Sequence, residues 1–324
     1  MKLYTLTRRF TAAVLTAAMA LSFCAPALAE APGTAADPAA PAASAPAENS
    51  TADTIVFDKL YFGTREDWDW TIVGAPSGDV VLQYTAANRT LTVTGTYFQA
   101  LTISAPGVNV VLNGTNGPAV KGDLTITASA SVAVTSSAAG AQAVTGSTDI
   151  TSDGAVSITG ADRAVGGENL TVNAGGDVTI TGGTTSQPTV NDATVRCGGE
   201  FELRNPAGGL VLCDKTSDGK SGNLHYYNTG ATELVFRASS MGATCDVFQP
   251  GDSTVFGTFG NPSWITAKHE QDYQLTLTNC STMFTRDSGT FYKDENINLR
   301  RTRPLDGTVF KGWTVTTSDG TNVF

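Results

Sequence analysis

The chain has 324 residues, 41% of them hydrophobic, and a formal net charge of −10. This length is sufficient for more than one domain with an apolar core. The acidic charge disfavours nucleic acid and anionic membranes as partners, because both repel a negatively charged protein.

Residues 1–29 have the pattern of a secretory signal peptide. Three basic residues precede an apolar run, and residues 27–29 read A-L-A, which is a typical cleavage signature. The run is too short and too rich in Ala and Thr for a membrane span. We therefore predict a secreted protein, either released or retained at the cell surface, without membrane insertion after cleavage. A lipoprotein anchored at Cys24 is the alternative. Cleavage removes the three basic residues and leaves 17 basic and 30 acidic residues, a net charge of −13.

A segment rich in Pro and Ala, residues 30–53, follows the signal peptide. It has almost no bulky apolar side chains, so burial cannot offset the entropy lost on ordering. We predict a disordered linker. It is either a tether to a surface or a spacer.

A repeat of 21 to 25 residues occupies the middle of the chain, with copies that begin at Ala119, Ala143, Ala164 and Thr189. Within each copy, apolar residues alternate with Thr, Ser or Ala, a period of two that is typical of a strand with one buried face. The five predicted columns of apolar residues are Val120, Val144, Val165 and Val190; Leu124, Ile150, Leu170 and Val195; Ile126, Ser152, Val172 and Cys197; Val132, Val156, Val178 and Phe201; and Val134, Ile158, Ile180 and Leu203.

Each copy is too small to bury its own apolar face, but stacked copies bury a continuous core. Crossovers between parallel strands are overwhelmingly right-handed. We therefore predict an all-β fold, a right-handed parallel β-helix of six to eight coils over residues 54–270. Its open ends need caps, which we place at residues 53–73 and 221–270, with the strand "ELVFRAS" in the second cap.

The sequence lacks the motifs of common catalytic and metal sites. It contains two His residues, no C-x-x-C and no G-x-S-x-G turn, which disfavours a zinc site and a serine nucleophile. Asp153, Asp162 and Asp177 are isolated, and we interpret them as turn residues that cap their own backbone, with a calcium site as the alternative. Cys197 is predicted to face inward and Cys213 outward, so these two should not pair. We predict no cofactor.

Part of the repeat resembles a known group of proteins. "GAVSITGADRAVGGENLTV" and "GGDVTITGG" resemble the coils of bacterial extracellular carbohydrate-binding parallel β-helix proteins, over about residues 80–215. The group is related in fold to pectate lyases. The resemblance implies a polysaccharide or a host or cell-surface glycan as partner. The N-T-D, D-D, G-H-G and R-x-K motifs of pectin hydrolases do not occur, and Asp162-Arg163 is the nearest approach to a lyase centre.

Residues 273–324 resemble the divergent B-repeat of internalin-type surface proteins. They contain a Y-x-L-T-L strand and the sequence F-x-G-W-T at residues 310–314. The resemblance implies a small β module without catalytic activity, which we place at residues 271–324. This copy stops before the last strand of the family, so we expect a truncated module with an unpaired edge beside Val315.

Outward-facing polar residues of the coils are the candidate ligand-binding residues. A stacked hydroxyl surface can hydrogen-bond a polysaccharide, and a Trp ring can serve as a stacking platform. The candidates are Thr125, Thr151, Thr171, Ser157, Thr159, Thr179, Thr181, Trp68 and Trp70. Thr is also simply favoured on exposed strands, and ice binding is a further alternative.

The sequence as a whole predicts a non-enzymatic binding or adhesion protein that is specific for carbohydrate. The alternatives are a polysaccharide lyase or hydrolase of the pectate-lyase-like fold and a purely structural surface stalk.

Overall fold

The computed structural model describes residues 3–7, 54–57, 71–76, 80–95, 98–214, 222–242, 244–257, 262–276, 288–292 and 314–316. The described residues form strands in three sheets and a single 3-10 turn at Ala86–Asn88. No helix in this part of the chain is long and apolar enough to cross a membrane.

The centre of the molecule is a parallel β-solenoid of about five turns. Its strands are β6 (Phe98–Ser104), β7 (Asn109–Gly114), β8 (Leu124–Ser129), β9 (Ser131–Ser136), β10 (Thr148–Ser152), β11 (Val156–Thr159), β12 (Asn169–Ala174), β13 (Val178–Thr181), β14 (Asp192–Cys197), β15 (Phe201–Arg204) and β16 (Asn223–Asn228). The even-numbered strands stack in one sheet and the odd-numbered strands in a second. Single parallel bridges, such as the one between Val120 and Val144, mark the third side of each turn. The predicted parallel β-helix is confirmed.

The prediction of six to eight coils was too high, because the strands on both sides of the stack run antiparallel to it. The N-terminal strands are β1 (Leu3–Thr7), β2 (Thr54–Phe57), β3 (Thr71–Pro76), β4 (Val80–Thr85) and β5 (Thr90–Gly95). β3 pairs antiparallel with β6, and β4 pairs antiparallel with both β2 and β5. Only β5 joins the parallel stack, through β7.

The register confirms three of the five predicted columns and corrects two. The columns that contain Val120, Val132 and Val134 stack as predicted. In the other sheet, however, Ile150 lies beside Ile126 and Val172, so Thr148 is the residue that lies beside Leu124. The same shift of two residues places Val195 beside Val172 and Cys197 beside Ala174. The inward face was correct, but the alignment was two residues off in β10 and β14.

Three-residue corners with glycine connect β10 to β11, β12 to β13 and β14 to β15. A Cβ atom on Gly175 would lie 2.2 Å from the backbone oxygen of Asp153, and one on Gly198 would lie 2.3 Å from the backbone oxygen of Gly175. A side chain at these positions would therefore separate adjacent turns. The amide N–H of Gly175 donates to the Ser152 carbonyl at 2.9 Å, so the backbone ladder continues around the corner. The repeated Gly-Gly pairs of the sequence lie at these corners, where adjacent turns are too close for a Cβ atom.

The C-terminal cap closes the stack with antiparallel strands and aromatic side chains. Its strands are β17 (Leu234–Ala238), β18 (Asp246–Phe248), β19 (Ser253–Gly257) and β20 (Trp264–Lys268). β20 pairs with β15 and β17, β18 pairs with β17, and β19 pairs with β16. The ring of Tyr226 lies 5.3 Å from that of Phe201 and 5.8 Å from that of Phe248, centroid to centroid. β17 confirms the strand predicted at "ELVFRAS".

A separate sheet of four strands contains the C-terminal strands β21 (Asp272–Thr276), β22 (Ser288–Tyr292) and β23 (Thr314–Thr316). β1 lies between β21 and β23, with Tyr4 opposite Val315. The edge beside Val315 was expected to be unpaired, but it is paired with β1. The Tyr292 hydroxyl donates to the Glu233 carboxylate of the cap at 2.5 Å. Burial, followed by this hydrogen bond, raises the pKa of Tyr292 above its ordinary value. The predicted linker at residues 30–53 lies outside the described residues.

Candidate ligand-binding surface

The outer face of the 11-stranded sheet carries rows of hydroxyl side chains that cross the strands. Ser157 lies beside Thr179, and Thr159 lies beside Thr135 on one side and Thr181 on the other. Neighbouring strands are about 4.8 Å apart, so the hydroxyls repeat at this spacing along the solenoid axis. We call these five residues the threonine face. Four of them are predicted site residues, and the structure brings all four together.

The two rows of the threonine face continue onto the cap. The row through Thr181 reaches Arg204 and then Trp264, while the row through Thr179 reaches Glu202. Trp264 is half-buried, and Lys268 forms an ion pair with Glu202. An aromatic ring therefore stands at the end of a hydroxyl row. Trp264 was predicted only as part of a cap, since an antiparallel strand breaks the repeat that aligned the other residues.

On the outer face of the 8-stranded sheet, the candidate residues Thr125, Thr151 and Thr171 do not stack in one row. Asp149 lies between Thr125 and Thr171 in one row, and Thr151 belongs to the adjacent row beside Asn173. This correction follows from the two-residue shift of β10. The face is mixed in chemistry, and hydroxyls alternate there with a carboxylate and an amide.

Further along this face, two rows end in larger side chains. Thr194 lies beside His225, and Arg196 lies beside Tyr227. The guanidinium carbon of Arg196 is 4.3 Å from the centroid of the Tyr227 ring. This distance is typical of a cation–π contact.

His225 and Tyr227 were not among the predicted site residues, although the sequence contains a signal for them. The segment "NLHYYN" at β16 has the same inward and outward pattern as "NLTVNA" at β12. Aligning the two would have placed His225 and Tyr227 on the outer face beyond Thr194 and Arg196. The predicted platforms Trp68 and Trp70 lie outside the described residues.

The aspartates at the corners bind backbone groups of the next turn. Asp177 Oδ1 accepts from the Glu200 N–H at 2.8 Å, and Asp123 Oδ1 accepts from the Ser147 N–H at 2.8 Å. Asp177 therefore caps the following turn rather than its own backbone, which corrects the interpretation of that residue. Within the described residues, no three His, Cys, Asp or Glu side chains come together in a way that suits a metal ion.

Arg163, half of the Asp162-Arg163 pair that most nearly approaches a lyase centre, forms hydrogen bonds inside the solenoid wall. It is 9% exposed, and its side chain donates to the Pro188 carbonyl at 3.1 Å and to Asn191 Oδ1 at 2.5 Å. Burial lowers the pKa of the guanidinium from its ordinary value. The side chain joins successive turns and is not presented on an open face.

Cys197 lies on the inward face, as the pattern predicts, but in the column of Ala174 rather than that of Val172. Cys197 is fully buried, Cys213 is half-buried, and the structure does not join them. The Cys197 thiol points to backbone oxygens, the nearest being that of Gly199 at 3.2 Å.

The fold and these surfaces define the protein as a capped β-solenoid with polar outer faces. No protein-family model matches the chain, and no curated protein and no solved structure is significantly similar to it.

Proposed function

We propose that this is an exported, non-enzymatic protein that binds carbohydrate through the outer surface of its solenoid, with the threonine face as the principal contact. The observation that carries this proposal is the register that stacks Ser157 on Thr179 and Thr159 on Thr181. Each hydroxyl can donate one hydrogen bond and accept others. A flat array of such groups suits a ligand that is itself covered with hydroxyls.

The spacing and the aromatic end of the face support an extended ligand. The hydroxyls of the threonine face repeat at roughly 4.8 Å along the solenoid axis, so successive units of an extended polymer can meet equivalent rows. Trp264, beyond Arg204, offers an apolar ring against which a sugar face can pack. A chain that lies along the solenoid axis would contact Thr159, Thr181 and Trp264 in turn.

The charges near the threonine face favour a neutral glycan. Lys268 and Arg204 both pair with Glu202. Arg237 makes two hydrogen bonds of 2.8 Å with Glu270. These pairs leave little net positive charge for a polyanion, and the whole chain is acidic. The engagement of Arg163 within the wall weighs against the alternative of a lyase, which needs an exposed base.

A glycan array of neutral and acidic polysaccharides, probed with the exported protein, tests the proposal. We expect binding to neutral glycans that the double variant Thr159→Ala/Thr181→Ala weakens about tenfold or more, since each lost hydrogen bond contributes about 0.5–1.5 kcal/mol. The matched control is Thr102→Ala/Thr125→Ala, a stacked threonine pair on the other sheet. Equal losses in both double variants, or no binding at all, would contradict the proposal.

The enzyme alternative is tested on any glycan that binds. Incubation should release neither reducing sugar nor unsaturated product, with or without calcium. A reproducible calcium-dependent rise in unsaturated product would establish a lyase instead.

Export is tested by the N-terminal sequence of the protein recovered outside the producing cell. We expect it to begin at Glu30, after cleavage at the A-L-A signature. Recovery of a chain that keeps Leu3–Thr7, the strand placed between β21 and β23, would contradict the predicted processing.

A further inference from the structure

Arg196, which is exposed, and Tyr227, which is half-buried, form a stacked pair on the outer face of the 8-stranded sheet, away from the threonine face. They are neighbours in register on β14 and β16, at a ring-to-guanidinium distance of 4.3 Å. Asn173 lies beside Arg196 on β12, while Thr194 and His225 form the adjacent row. We call these five residues the Arg196 site.

Arg196 differs from the other basic residues of the sheet faces in having no acidic partner. It makes no hydrogen bond or ion pair with the described residues, whereas Arg204 lies 3.9 Å from Glu202 and Arg237 binds Glu270. A guanidinium stacked on a ring keeps the N–H groups of its edge available, and these can bind a carboxylate with two parallel hydrogen bonds. The site therefore offers a positioned cation.

The surroundings of the pair suit a sugar ring. Asn173 and Thr194 supply an amide and a hydroxyl for hydrogen bonds. On the other side, Tyr227 lies opposite Ser253, which has a small side chain, and His225 lies opposite Val255, which is 60% exposed. The site combines apolar surface with donors and acceptors at its edge.

The local charge limits the kind of acid that fits. The acidic side chains in the described rows of this face are Asp149, two strands away from Arg196, and Asp192, four residues before it on β14. Asp192 Oδ1 accepts from the Asn223 N–H at 2.9 Å. A single cation on a chain of net charge −10 does not favour a dense polyanion, but it matches one carboxylate on an otherwise neutral molecule. We propose that the Arg196 site binds an isolated acidic sugar, with its carboxylate on Arg196 and its ring against Tyr227. This proposal stands apart from the neutral ligand of the threonine face.

Calorimetric titration with two disaccharides that differ in one carboxylate tests the proposal. Cellobiouronate should bind about tenfold or more tightly than cellobiose, since hydrogen bonds between charged groups are roughly twice as strong as neutral ones. Arg196→Gln should abolish this difference, and Arg196→Lys should restore only part of it, because an ammonium lacks the planar fork. Arg89→Gln, at an exposed arginine in the turn before β5, should leave the difference unchanged.

Further measurements decide whether the loss reflects the site itself. The melting temperature of Arg196→Gln should match that of the parent, and the preference for cellobiouronate should shrink at an ionic strength of about 1 M. Equal affinity for the two disaccharides, an unchanged preference in Arg196→Gln, or no binding of cellobiouronate would overturn the proposal. Acetate that binds as tightly as cellobiouronate would show that the sugar ring contributes nothing. Thr159→Ala/Thr181→Ala should leave this preference intact, which separates a failure here from a failure of the threonine face.

Discussion

The coils and the C-terminal cap bury different kinds of side chain. One inward column of the coils runs through Val132, Val156 and Val178, and it changes to Phe201 in β15, the last strand of that parallel stack. The neighbouring sheet shows the same change, because a column of Ile and Val ends at Tyr226 in β16, the last parallel strand there. In both sheets the aromatic residue stands at the end of the column.

This difference shows how the stack is propagated and how it is ended. Side chains of constant size let each turn follow the path of the one before it, which keeps the cross-section uniform. A larger ring fills the interior from the end, where Tyr226, Phe236 and Phe248 pack together with centroids 5.2 to 6.1 Å apart. The antiparallel β19 and β20 then occupy the edges that a further parallel turn would use. Aromatic side chains and reversed strands together form the cap.

The largest expected effect comes from a charge within the coils. Ile158 is fully buried between Val134 and Ile180, and Ile158→Asp would place a carboxylate there without a partner. We expect a loss of more than about 4 kcal/mol in the free energy of unfolding, enough to unfold the solenoid. Circular dichroism during urea denaturation measures it. Thr159→Asp, one residue further on the outer face, should have a small effect; an unchanged transition for Ile158→Asp would refute the assigned register.

Removing an aromatic ring should weaken the cap before the coils. Phe236 is 1% exposed and contacts the rings of Tyr226, Phe248 and Phe256. We expect Phe236→Ala to cost about 3–5 kcal/mol and to speed amide hydrogen exchange in β16 to β20 more than in β9 to β13, because each turn depends chiefly on its neighbours. Val255→Ala, in the exposed part of the same cap, is the control. Uniform acceleration over all strands would mean that cap and coils unfold as one unit.

Alkaline pH should act on the last coil through Cys197. Burial raises the pKa of this thiol from 9.0 to about 11, so the folded state resists deprotonation more than the unfolded chain does. The contribution to stability is complete below pH 9 and is lost as the pH rises to about 11, by at most roughly 2–3 kcal/mol.

Denaturation midpoints at several pH values check this expectation. Cys197→Ala should flatten the profile between pH 9 and about 11, and it should be tolerated because Ala174 occupies the same column one turn earlier. Burial also raises the pKa of Tyr226, so some alkaline loss should persist above pH 10 in the variant. A profile identical to that of the parent would show that Cys197 does not control this step.

The smallest effect is a gain in stability at Thr148. This residue replaces the Leu of its column, is 3% exposed, and has a hydroxyl without a hydrogen-bond partner among the described residues. Thr148→Val removes the unsatisfied group at nearly constant shape and should raise the free energy of unfolding by about 1 kcal/mol. Thr189→Val is the matched control and should be destabilised, since the buried Thr189 hydroxyl donates to the Gly182 carbonyl at 2.6 Å. Equal shifts in both variants would argue against the role given to the hydroxyl of Thr148.

The candidate surface was predicted in part. Ser157, Thr159, Thr179 and Thr181 were placed together correctly because the corners that precede β11 and β13 have the same length. His225 and Tyr227 were missed because the segment between β15 and β16 is longer than in the earlier turns, which hides the repeat. Arg196 lies within the aligned repeat, but its partner Tyr227 does not. Trp264 reaches the threonine face only through an antiparallel pairing with β15, and no local pattern specifies that partner.

By itself the sequence determined the solenoid. The alternation of Val, Ile and Leu with Thr and Ser fixes which face of each strand is buried. The recurrence of this pattern every 21 to 25 residues fixes that the strands stack. It did not determine the register of β10 and β14. A shift of two residues leaves every side chain on the same face, so alternation cannot distinguish Leu124 beside Ile150 from Leu124 beside Thr148. The tertiary structure decided between them, because the glycine corners and the single bridges at Val144 and Val190 set where each strand begins. That choice placed Asp149 between Thr125 and Thr171 and gave the two outer faces their different chemistry.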